Sequence, residues 1–106
     1  EASAWMKSWD GCVLELTHNH GTETDAEFKY HNGNDEPQGF GHVGFLVPSV
    51  YEQSDAMLAD GVLFRKKPDD GMMKNLAFAL DPDGYSVEIM QYGLKYTPPK
   101  PEGEAE

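Results

Sequence analysis

The chain has 106 residues, enough for one small domain with a modest core, and sets 19 acidic against 8 basic side chains for a net charge of −11. That balance repels polyphosphate and disfavours anionic membrane surfaces, so neither nucleic acid nor a membrane is an expected partner. A single cysteine, Cys12, excludes an internal disulfide framework and fits a reducing, cytoplasmic compartment, and no apolar run approaches membrane-spanning length.

Residues 12–17 alternate as a strand, with Cys12, Leu14 and Leu16 on one face and Val13, Glu15 and Thr17 on the other. The polar, glycine-rich stretch from His18 to Gly39 carries turn signals at Asn32-Gly33 and Glu36-Pro37. Its length suits a loop between two modules better than a connection inside one. A second strand is predicted over 41–47, with Val43, Phe45 and Val47 toward a core and His42, Gly44 and Leu46 opposite. Pro48 ends it.

Ser49 with Glu52 three residues on is a capping-box pattern that starts a helix. Val50, Met57 and Leu58 give it an apolar stripe, and Gly61 fits the position just past its end. Short strands are predicted over 62–65, 75–80 and 85–90, the last two joined by the tight turn Asp81-Pro82-Asp83-Gly84. The order from 41 to 90 is strand, helix, strand, strand, strand. The proline- and glutamate-rich end is expected to be mobile.

Glu15, His42 and Glu88 are polar side chains on predicted strands whose same-face neighbours are small or apolar. A half-buried carboxylate needs compensation, and a metal ion is one effective form of it. Imidazole with carboxylates is a credible ligand set for zinc, nickel or iron. The plain alternative for each residue alone is a solvated strand face, and their wide separation forms no compact motif. Gly44 and Ser86 leave room beside His42 and Glu88.

Other groups read more simply. His18 and His20 close a strand and enter a loop, His31 is a surface or packing residue, and Lys66-Lys67-Pro68-Asp69-Asp70-Gly71 is a turn first. Met72-Met73 reads as a lid, Trp5 and Trp9 as packing anchors, and Cys12 as a small buried hydrophobe.

Leu14-Glu15-Leu16-Thr17-His18-Asn19, Tyr30-His31-Asn32-Gly33-Asn34, Gly39-Phe40-Gly41-His42-Val43-Gly44, the 66–71 loop and Asp81-Pro82-Asp83-Gly84-Tyr85 together resemble, in order and interval, segments of the glyoxalase I family. The resemblance covers about 5–90 and implies an α+β, vicinal-oxygen-chelate fold. Residues 41–91 would be a complete βαβββ module and 1–19 the terminal strand region of a preceding one. Residues 20–40 would be the inter-module loop, and 92–106 a flexible acidic tail.

By the same resemblance, Glu15, His42 and Glu88 correspond to ligands of one divalent metal, zinc or nickel, and Glu88 to the carboxylate that moves the substrate proton. Asn19, Gln38, Lys66 and Met73 correspond to positions that contact glutathione. The implied activity is isomerisation of the methylglyoxal–glutathione hemithioacetal to S-lactoylglutathione. Gln38 stands where the family has an arginine, Ser86 where it has an aromatic, and the family's first ligand lies upstream of Glu1. An inactive or different-substrate module is the alternative. An exposed sheet edge is expected to seek a partner, as a homodimer or with an N-terminal half.

Overall fold

The computed structural model describes residues 2–93, so the expected acidic tail falls outside the described residues from residue 94 onward. A short helix α1 (Ala2–Ser8) precedes a long irregular stretch, followed by β1 (His42–Val47), α2 (Val50–Ala59), β2 (Phe64–Lys66), β3 (Leu76–Leu80) and β4 (Ser86–Gln91). The expected strand, helix, strand, strand, strand order is therefore present. None of the described helices is long and apolar enough to cross a membrane.

Local chemistry explains the boundaries. Ser49 is extended and its hydroxyl accepts the Glu52 backbone N–H at 3.3 Å, filling one of the donors that open α2. Gly61, at φ +85, ends the helix in the left-handed conformation that glycine tolerates best. At the β3–β4 turn, Asp81 Oδ1 accepts the amides of Asp83 (2.9 Å) and Tyr85 (2.8 Å), and Gly84 N–H donates to the Asp81 carbonyl. That turn fixes the register Leu80↔Ser86, Ala79↔Val87 and Phe78↔Glu88.

The strands lie in the order β1-β4-β3-β2, with β1 parallel to β4 and the other pairs antiparallel. Directly paired residues share a face, so the sheet has two unlike sides. One side packs under α2 around buried Val50, Ala77 and Ile89, with Val47, Met57, Phe64 and Val87 closing in. The other carries His42, Gly44, Leu46, Ser86, Glu88, Met90, Leu76, Phe78 and Leu80, and no described helix lies over it. Phe45 is on the helix-side face by register yet stays 44% exposed.

Three expectations need correction. The strand predicted over 12–17 does not form: residues 12–19 have no regular secondary structure and are exposed. Alternation alone supplies no ladder partner, and no described strand lies beside this segment. Cys12 is exposed rather than buried. Trp5 and Trp9 stack on each other one helical turn apart, at 5.4 Å between ring centroids, with more than half of each exposed, so they anchor no core.

Ser54 faces the sheet from the middle of α2, fully buried, and its hydroxyl has no hydrogen-bond partner among the described residues. A buried hydroxyl left unpaired is destabilising, and alanine is the better helix former. Ser54→Ala is therefore expected to raise unfolding stability by about 1 kcal/mol, read as a higher denaturant midpoint at unchanged m-value.

Candidate functional site

The uncovered face of the sheet gathers the chemistry. His42 opens β1 and Glu88 sits mid-β4, and the parallel register sets Gly44 opposite Glu88 and His42 opposite Ser86. Their side chains meet, with His42 Nε2 at 2.9 Å from Glu88 Oε2. The imidazole N–H donates to the carboxylate, which is only 17% exposed, while the His42 side chain is 42% exposed.

Gly44 makes the approach possible. A Cβ there would lie 3.4 Å from Glu88 Oε2 and 3.3 Å from Met90 Cε. Phe78, paired with Glu88 on its other flank, meets the His42 ring edge-to-face at 5.2 Å and 87°. The site is thus a carboxylate between a glycine and a phenylalanine, steadied by an imidazole.

The loop before β1 delivers His42. Gly33 is buried at φ +82, and a Cβ there would run into the Phe40 backbone, so only glycine fits. Asn32 Nδ2 donates to the Gly84 carbonyl at 3.3 Å, and Asn34 Nδ2 to the Gly41 carbonyl at 3.2 Å. These bonds tie the loop to the β3–β4 turn and to the residue preceding His42.

The other rim is the 67–75 loop, and it is built around lysines. Lys66 Nζ donates to the carbonyls of Lys67, Pro68, Met73 and Leu76 at 2.5–3.2 Å. Lys74 Nζ donates to the carbonyls of Asp69 and Gly71. The Tyr51 hydroxyl, on α2, donates to Asp69 Oδ1 at 2.6 Å, which also accepts the Asn75 amide. The Tyr51 bond, chiefly, holds the Asp69 carboxyl below its ordinary range and pushes the phenol up.

Of the residues singled out from sequence, His42 and Glu88 come together, and Lys66 touches the Met73 carbonyl directly. Glu15 does not join them: among the described residues no three His, Cys, Asp or Glu side chains gather into a metal-holding group. Asn19 and Gln38 are exposed on loops, Asn19 using its carbonyl to accept the Thr22 amide and hydroxyl. Met72 is 97% exposed beside the site loop.

Sequence reasoning passed over Phe78, Arg65 and Tyr51. Counting back from the 81–84 turn would have set Phe78 against Glu88. A cleft of about 610 Å³ lies elsewhere, lined by His18, Thr22, Glu23, Phe28, Lys29, Tyr30 and Asp83. His18 and Glu23 pair there at 2.8 Å, but both are more than half exposed, so water already solvates what the cleft offers.

Two substitutions test this geometry. Gly44→Val puts branched carbons against the Glu88 carboxylate and is expected to cost about 1–3 kcal/mol of stability and to separate Glu88 from His42, read from the denaturant midpoint and the His42 ring NMR shifts. Tyr51→Phe is expected to move the Asp69 titration upward toward the usual carboxylate range, followed by NMR. With a lowered folded-state pKa, the Asp69 contribution is present above the ordinary value and is lost as pH falls through the depressed one.

The profile of the Glyoxalase/Bleomycin resistance protein/Dioxygenase superfamily matches residues 6–89. The chain is 56% identical over 87 residues to a lactoylglutathione lyase of Pseudomonas putida, with 82% of this chain and 50% of that protein covered. It is 54% identical over 82 residues to a lactoylglutathione lyase of Pseudomonas aeruginosa, covering 77% of this chain and 46% of the relative. Over 85 residues it is 47% identical to the glyoxalase I of Saccharomyces cerevisiae, covering 77% of this chain and 26% of that protein. The chain spans half or less of the length of these relatives. With the βαβββ module and this breadth of match, the chain belongs to the glyoxalase/bleomycin resistance protein/dioxygenase superfamily.

Proposed function

We propose that this chain is the C-terminal part of a lactoylglutathione lyase and that its module contributes to isomerising the methylglyoxal–glutathione hemithioacetal to S-lactoylglutathione in the cytoplasm. In this reading residues 1–19 belong with a preceding module, 20–40 join the two, 41–91 are the complete module and 92–106 a tail. The observation that carries it is the His42–Glu88 contact on an uncovered sheet face, in a chain that matches relatives of that name.

The family implies a divalent metal, zinc or nickel, and the chemistry of these two residues fits one. An imidazole nitrogen and a carboxylate oxygen suit a borderline cation, and Gly44 keeps the space beside them free of side-chain atoms. Two donors fall short of the four that zinc takes. The rest would come from Glu15 and an upstream residue, or from the His42 and Glu88 of a second copy. When bound, the ion would supply electrophilic stabilisation of oxyanion charge.

The chain's own groups do the proton work. Glu88 Oε takes the proton from one substrate carbon and helps return one to its neighbour, a transfer that needs a carboxylate poised and largely shielded from water. His42 orients that carboxylate. Phe78 and Met90 present apolar surface that excludes water from the reacting carbons. Asn19, Gln38, Lys66 and Met73 stand at the positions that would meet the glutathione part, Lys66 by shaping the loop that carries Met73.

Glu88→Gln is expected to lower the rate of thioester formation by roughly two to four orders of magnitude, followed by ultraviolet absorbance, with the fold retained by circular dichroism. Metal stoichiometry gives a second measure. One ion per two chains supports the symmetric dimer and one per chain supports use of Glu15. No binding at saturating zinc or nickel sinks the catalytic reading and leaves a binding module of the same fold.

A further inference from the structure

Arg65 is the only arginine in a chain of net charge −11. It is the extra residue of a β-bulge: Phe64 pairs with Ala79 and Lys66 with Phe78, so two steps along β2 match one step along β3. A bulge of this kind re-aims side chains. Here it sends Lys66 to the uncovered face, and the Arg65 guanidinium joins it there, 4.6 Å from the centroid of the Phe78 ring. Phe78 in turn touches His42, which touches Glu88.

Two of the cations around the site are already engaged, and Lys67, exposed and with no side-chain partner among the described residues, offers only a point charge. Lys66 is enclosed by four backbone carbonyls and Lys74 by two. Arg65 alone of these three makes no ion pair and no hydrogen bond among the described residues; its guanidinium carbon lies over the Phe78 ring and the side chain is exposed. A guanidinium holds its donors in one plane by its own chemistry, the arrangement that matches a carboxylate with two parallel bonds. Gln38, the neutral amide noted in the sequence, offers no such charge.

We propose that Arg65 is the carboxylate-recognising residue of this site, a specificity determinant that selects a thiol substrate bearing a free carboxylate. The proposal rests on the reading of a glutathione-dependent site at His42 and Glu88. It adds a residue that the sequence comparison did not assign, and it makes the β2 bulge a functional feature.

The test uses the full chain with two probes, S-hexylglutathione and its diethyl ester, by isothermal calorimetry. The unmodified chain is expected to bind the free acid roughly ten- to a hundredfold more tightly than the diester. Arg65→Met should erase that preference without changing diester affinity or the melting temperature, since the side chain is exposed. Arg65→Lys should restore part of it, as a point charge without the fork.

Equal binding of acid and diester by the unmodified chain, a preference that survives Arg65→Met, or no binding of either probe overturns the proposal. A zinc titration in parallel separates this from the broader reading. Zinc binding without acid-over-ester preference removes only the Arg65 assignment. Preference through Arg65 without zinc binding removes only the catalytic reading.

Discussion

The parallel pairing of β1 with β4 is the constraint on which the rest depends. It pairs residues 44 apart in sequence, as His42 with Ser86, and no local turn could do so, because a parallel pair needs a crossover. The crossover is α2 with the β2–β3 hairpin, and what holds it is the contact of Val50 with Val47, Ala77 and Ile89 beneath the sheet. The apolar cluster on one side therefore sets the distance between an imidazole and a carboxylate on the other. Disturbing Ile89 or Val50 would act on His42 and Glu88 through the register, not through contact.

The two faces of β4 show how the division is kept. Val87, Ile89 and Gln91 alternate with Ser86, Glu88 and Met90, so each strand step exchanges core for site. A one-residue slip would bury Glu88 under α2, where no described cation waits, and would expose Ile89. Register is consequently overdetermined, by the Asp81 turn at one end and by the cost of a misplaced carboxylate along the strand. The β2 bulge breaks the alternation once, at the far edge, and the break sends Lys66 and Arg65 to the same side.

Much of this was legible because it is local. The Ser49 cap, the glycine after α2, the 81–84 turn and the period-two alternation of β1 and β4 are each written within a few residues. The same rule misled at 12–17. Cys12-Val13-Leu14-Glu15-Leu16-Thr17 alternates as well as β1 does, but alternation states only which residues would share a face and not whether a neighbouring strand exists. Which groups Glu15 meets depends on what lies beside that segment. Adjacency of His42 and Glu88 came from resemblance and not from spacing. Lys66 looks like an anion-binding cation on paper, and only the fold shows four carbonyls converging on it. Arg65 was hidden for the opposite reason, since a bulge cannot be seen in a pattern that assumes regular pairing.

The proposed metal site at His42 and Glu88 bears on the one-sided burial of the sheet. The core on the helix side is small, with Val50, Ala77, Ala79 and Ile89 buried, while Leu46 on the site face is 63% exposed. Leu46 and Met90 pair two residues along from the Gly44–Glu88 row, on the same side. A surface that brought further oxygen or nitrogen donors to Glu88 across Leu46 and Met90 would also take their apolar area out of water. In that arrangement ligand completion and burial would be one event. Binding that requires the covered form stabilises it by mass action, so occupancy of the site and stability of the sheet should rise together rather than independently.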